Sequence, residues 1–73
     1  MIEVGKIYKI NWDDGSHEGH FFLLERLEKN TPYPMCYGIC SCGEIDWWNG
    51  HHLTPISQTE ELKQLFANLL LQQ

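Results

Sequence analysis

Hydrophobic and polar residues alternate along most of this chain, and the period changes only near its end. Residues 4–12 (VGKIYKINW) put Lys6, Tyr8, Ile10 and Trp12 on one face of an extended segment and Ile7, Lys9 and Asn11 on the other, which predicts a strand. Asp13-Asp14-Gly15-Ser16 predicts a turn, because Asp side chains cap turn backbone and Gly15 tolerates positive φ. Residues 20–27 (HFFLLERL) predict a second strand, with Phe21, Leu23 and Leu27 sharing a face with Glu25, and Phe22 and Leu24 sharing the other with Arg26. Apolar residues on both faces of its first half imply burial on both sides or a strong bend. The prolines of TPYP then mark a loop over 28–34. Three further strands are predicted at 35–41, 44–48 and 51–54, joined by two-residue turns at Cys42-Gly43 and Asn49-Gly50. Asn-Gly is the stronger hairpin signal, since a type I′ turn needs positive φ at both positions. Pro55 ends the last strand.

The period lengthens after Ser57. Leu62, Leu65, Phe66, Leu69 and Leu70 recur at helical spacing and form one apolar stripe, which predicts a helix over 58–71. Ser57 and Glu60 have the spacing of a capping box, and Glu60 with Glu61 suits the positive end of the helix dipole. In a chain of 73 residues the stripe is expected to close the core, because so small a domain has little apolar surface to leave uncovered. The alternative is a homodimer or partner interface to which Leu71 would add.

These elements predict one mainly β domain over 1–73: a five-stranded antiparallel SH3-like barrel or curled sheet across 4–56, with one C-terminal amphipathic helix. The stretch VGKIYKINWDDG (4–15) resembles the first strand and turn of Tudor and other SH3-like modules. The likeness implies the barrel. It extends to no peptide-binding or aromatic-cage motif, so it transfers no site residues.

Charge narrows the function classes. The chain carries 10 Asp and Glu against 5 Lys and Arg, for a net charge of -5. After Lys29 the only Lys or Arg is Lys63. Direct nucleic-acid binding needs clustered cations to displace counterions, and no such cluster is present. An acidic surface suits a protein partner with a basic surface. The opening residues lack a basic, apolar leader, and no stretch reaches the roughly 20 apolar residues of a membrane span. With three cysteines, an odd count, this leads to the expectation of a cytoplasmic protein with free thiols.

The candidate chemistry is concentrated in 35–53 (MCYGICSCGEIDWWNGHHL). Cys36, Cys40 and Cys42, with His51 or His52 as a fourth ligand, are the residue types that bind zinc, and His17 and His20 offer further ligands. The spacing matches no standard zinc pattern. On the pairing inferred from the two turns, Cys36, Gly38, Cys40, Ile45, Trp47, His52 and Thr54 share a mainly apolar face, with Trp47 over the bare backbone of Gly38 and His52 about 10 Å from Cys40. Buried cysteines behave there as small hydrophobes. The expectation is therefore no metal, with Cys36, Cys40, Cys42 and His52 as the alternative zinc set. Catalysis is not expected. A Cys–His nucleophile at Cys42 with His51 or His17 lacks a local signature, the paired acids fall at a turn and a helix start, and no glycine-rich phosphate loop is present.

The opposite face would align Tyr37, Trp48 and His51 across three strands, beside Glu44 and Asp46. Amphipathic rings flanked by acids form a plausible protein contact. The functional expectation is a small acidic protein-binding module, by analogy of size and charge with phage- or mobile-element-encoded inhibitors that block a basic, nucleic-acid-binding surface of a host protein. A zinc-stabilised interaction module is the alternative.

Overall fold

A computed structural model describes residues 2–11, 19–29, 32 and 34–72. Trp12, His17 and the turn expected at 13–16 lie outside them. Five antiparallel strands form one sheet: β1 (Ile7–Ile10), β2 (Phe21–Glu28), β3 (Met35–Cys40), β4 (Ile45–Asn49) and β5 (Leu53–Pro55), followed by helix α1 (Glu60–Leu71). Their order is β4-β3-β2-β1-β5, so β4 and β5 are the two edges. The sheet is open, and of the two architectures expected it is the unclosed one.

Both faces of the sheet are covered, which explains why β2 begins with apolar residues on both sides. Tyr8, Ile10, Phe22, Leu24, Cys36, Cys40, Trp48 and Leu53 pack together on one face. The two edge strands thus contribute to the same cluster. On the other face Ile7, Ile39 and Phe66 form a second cluster, bordered by Phe21, Leu23, Leu62 and Leu69. Leu62, Phe66 and Leu69 of the helix stripe therefore close this core, while Leu65 and Leu70 of the same stripe remain exposed. Burying a side chain such as Phe66 contributes about 1.5–3 kcal/mol. Leu71, 84% exposed, lies off this contact.

Local chemistry explains where each element begins. Thr59, not Ser57, caps the helix: its hydroxyl accepts from the Leu62 amide at 3.2 Å. The residue before it is already committed elsewhere. The Gln58 amide group accepts from Ile7 N–H at 2.8 Å and donates to the Ile7 carbonyl at 2.8 Å, replacing a strand partner where β5 does not reach. Pro55 pairs with Tyr8 at the end of an edge strand, where a missing amide is tolerated.

Three expectations about register change. First, a bulge between Leu24 and Arg26 moves Leu27 to the face of Phe22 and Leu24, away from Phe21 and Leu23. Second, Asn49-Gly50 is not a hairpin turn. Asn49 is extended at φ -71°, and its side chain accepts from the His51 amide to start a single 3-10 turn over Gly50–His52. Gly50 donates to the Pro34 carbonyl at 2.8 Å. The chain then crosses to the far edge, where β5 pairs with β1 rather than β4.

Third, the turn between β3 and β4 is one residue longer than two. Gly43 N–H donates to the Cys40 carbonyl and Cys40 N–H to the Glu44 carbonyl, each at 2.8 Å. Gly43 sits at φ 95°, the left-handed position that closes a three-residue loop. A one-residue change in register turns every β4 side chain to the opposite face. Tyr37 therefore faces Trp47, and Cys36 faces Trp48. Trp48 is 9% exposed and part of the core, whereas Trp47 is 39% exposed. The ring lying over Gly38 is that of Phe22, not Trp47: a Cβ there would meet Phe22 Cζ at 2.9 Å and overlap the Leu23 carbonyl.

Three substitutions test this register by urea unfolding. Trp48→Ala is expected to cost about 3–5 kcal/mol, and Trp47→Ala about 1 kcal/mol or less. Gly38→Ala is expected to cost at least about 2 kcal/mol, because the obstructing Leu23 carbonyl is backbone and cannot swing aside. Equal losses at the two tryptophans would contradict the observed register.

Candidate functional sites

The row expected from Tyr37, Trp48 and His51 does not assemble. Trp48 points into the core, and His51 stands in the 3-10 turn with its ring against His52 at 4.1 Å between centroids. Tyr37 instead packs on Trp47, with centroids 4.9 Å apart and planes tilted by 57°. The Arg26 guanidinium lies 4.7 Å from the Tyr37 centroid and 5.2 Å from that of Trp47. The cation on these rings thus comes from the chain itself. Each such contact is worth about 0.5–1 kcal/mol at an exposed site.

This Arg26–Tyr37–Trp47 platform occupies the helix-bearing face of the sheet, beyond the part that Leu62, Phe66 and Leu69 cover. Ile45, opposite Ile39, extends it and is 47% exposed. Glu44 and Asp46, both exposed, alternate with Ile45 and Trp47 along the sequence. The Asp46 carboxylate accepts from the Trp47 amide at 2.8 Å. Edge strand β4 therefore presents acid, apolar, acid and aromatic residues in succession. A groove of about 390 Å³ lies on the other side of the helix contact, lined by Ile7, Leu23, Phe66 and Leu70 with Lys6 and Lys63 beside them.

The cysteines separate as well. Cys36 is buried opposite Trp48, and four residue steps along β3, about 13 Å, separate it from Cys40. His52 follows the far end of β4. The set Cys36, Cys40, Cys42 and His52 is therefore not gathered. Among the described residues, the group that comes together is His20, Cys40 and Cys42, whose ligand atoms all lie within 4.8 Å of one another. His20 Nδ1 is 3.5 Å from Cys40 Sγ.

Local pairing places these three. Phe22 is opposite Cys40, so His20, two residues earlier, falls on the same side. The start of β2 is held to the turn by Ser41 N–H donating to the Phe21 carbonyl at 2.8 Å and Phe21 N–H donating to Ser41 Oγ at 3.1 Å. The tight loop over Gly43 then brings exposed Cys42 back towards buried Cys40. Burial pushes the Cys36 thiol up, and burial is also the main cause that pushes Cys40 up to about 11.

Compared with known proteins, the chain matches no family model, no curated protein and no solved structure. Among the described residues, no helix is long and apolar enough to cross a membrane.

Thiolate is the reactive form of cysteine, and burial both shields the Cys40 thiol and disfavours its ionisation. In metal-free, folded protein at about pH 8, a thiol reagent is expected to modify Cys42 rapidly and Cys36 and Cys40 only slowly. All three should react at once in denaturant. Rapid modification of two thiols in the folded chain would contradict this burial pattern.

Proposed function

We propose that this chain is a small acidic protein-binding module whose contact surface is Trp47 and Ile45 on β4, supported by Tyr37 and Arg26. The observation that supports this most directly is the pair of outward-facing large apolar side chains, Ile45 and Trp47, on an edge strand, whereas Tyr8, Phe22, Trp48 and Phe66 are buried. Single exposed hydrophobes are ordinary. A tryptophan packed on a tyrosine and an arginine is different, because those contacts already restrict it, and a restricted aromatic loses less freedom on binding.

Charge selects the partner class. Glu44 and Asp46 alternate with the apolar pair and so lie on the other face of the same exposed edge strand; with a net charge of -5, the surface that wraps this edge is complementary if basic. Basic protein surfaces commonly hold nucleic acid, and a module seated on one would act as an inhibitor by occupying it. The chain itself has no catalytic role in this reading.

The test uses a partner captured from the native host with the intact chain. Trp47→Ala, which leaves the core untouched, is expected to weaken its binding by about thirtyfold, the loss associated with an interface hot spot. Glu44→Lys is expected to weaken it too and to reduce its salt dependence. If binding is unchanged in both variants while circular dichroism shows them folded, this surface is not the contact.

A further inference from the structure

We propose that His20, Cys40 and Cys42 form a binding site for a thiophilic divalent metal, with Zn²⁺ as the matching ion. This site lies outside the β4 surface and is independent of it.

The geometry is the main argument. Zinc takes thiolate sulfur at about 2.3 Å and imidazole nitrogen at about 2.0 Å in a tetrahedron, which puts a bound sulfur and nitrogen about 3.5 Å apart. Cys40 Sγ and His20 Nδ1 are 3.5 Å apart. The third ligand atom, from Cys42, also falls within 4.8 Å of both. Three side chains from two separate parts of the chain, the start of β2 and the β3–β4 turn, are thus held at near-ligating separations. The Ser41–Phe21 hydrogen bonds fix the backbone that carries all three.

The chemistry of the donors selects the ion. Two thiolates and an imidazole suit zinc and its spectroscopic substitute cobalt, and they are unsuited to magnesium or calcium, which take oxygen ligands. Binding is balanced as a proton and water exchange: two thiols lose their protons to solvent, the hydrated ion sheds waters as two metal–sulfur bonds and one metal–nitrogen bond form, and two thiolates with a neutral imidazole cancel the charge of the ion. No oxidant or reductant is consumed. Three protein ligands leave one coordination position for water or an external donor. Cys42 is exposed, so an ion reaches the site from solvent, while Cys40 anchors it to the core.

The site also makes sense of a cysteine pair that no zinc spacing rule would select. Cys40-Ser41-Cys42 has one intervening residue, and the usual rule requires two to four. The three-residue turn supplies by conformation what the spacing lacks.

The reduced full-length chain is titrated with Zn²⁺ by calorimetry and with Co²⁺ by absorption. One equivalent is expected to bind, cobalt is expected to give the intense thiolate-to-metal band of a sulfur site, and zinc is expected to raise the melting temperature. Cys42→Ser, at an exposed turn, and His20→Ala are each expected to lower zinc affinity by at least about tenfold, the least that loss of even an outer-shell partner costs. The double variant His51→Ala/His52→Ala, which removes the other described imidazoles, is expected to bind as the parent does. Absence of stoichiometric binding would overturn the proposal. So would unchanged affinity in either Cys42→Ser or His20→Ala, or loss of binding in the His51→Ala/His52→Ala variant.

Discussion

Gly43, at φ 95°, allows the Cys40 amide to reach the Glu44 carbonyl across a three-residue loop. Register along β3 and β4 follows from that closure, and side-chain direction follows from register. Trp48 turns in to join Phe22, Leu24 and Leu53, while Trp47 turns out to meet Tyr37 and Arg26. The same loop returns Cys42 towards Cys40 and His20. Core, aromatic platform and ligand cluster are three consequences of one turn.

A domain this small has little stability to spare, and it uses both faces of its sheet to bury enough apolar surface. One face gathers side chains from both edge strands, and the other is closed by Phe66 and its neighbours on the helix. Among the described residues, Cys40 stays in the core, while the exposed part of β4 and the β3–β4 turn carry side chains outside this packing, Ile45 and Trp47 on the first and Cys42 on the second. Both sit at the edge or end of the sheet, where a substitution can alter binding without opening the core.

The strands and helix were legible because their periods are strong. Tyr8 and Ile10 against Ile7, Phe22 and Leu24 against Phe21 and Leu23, and the Leu62–Phe66–Leu69 stripe all fall on the faces that alternation assigns them. Register was not legible. Cys42-Gly43 fits a two-residue turn as well as the end of a three-residue one, and only the backbone hydrogen bonds distinguish them. Asn49-Gly50 carries the hairpin signal for a different reason: Asn49 caps a 3-10 turn, and buried Gly50 packs against Pro34. The extra residue at Glu25 has no sequence signature, yet it moves Leu27 across the sheet. At the ligand cluster the cysteines were visible, and His20 was visible only as one of four histidines, since its approach to Cys40 depends on the pairing of β2 with β3.

The register of β3 against β4 is therefore the point on which the account stands. In an antiparallel pair, residues facing each other at a non-hydrogen-bonded position bring their Cα atoms to about 4.5 Å, close enough for a strong contact between α-protons in nuclear magnetic resonance. With Cys40 bonded to Glu44, Tyr37 and Trp47 form such a pair. An α-proton contact between Tyr37 and Trp47 is therefore expected. An α-proton contact between Gly38 and Trp47 in its place, the non-hydrogen-bonded pair of a two-residue turn, would return Trp48 to the surface and contradict the assignment of both sites.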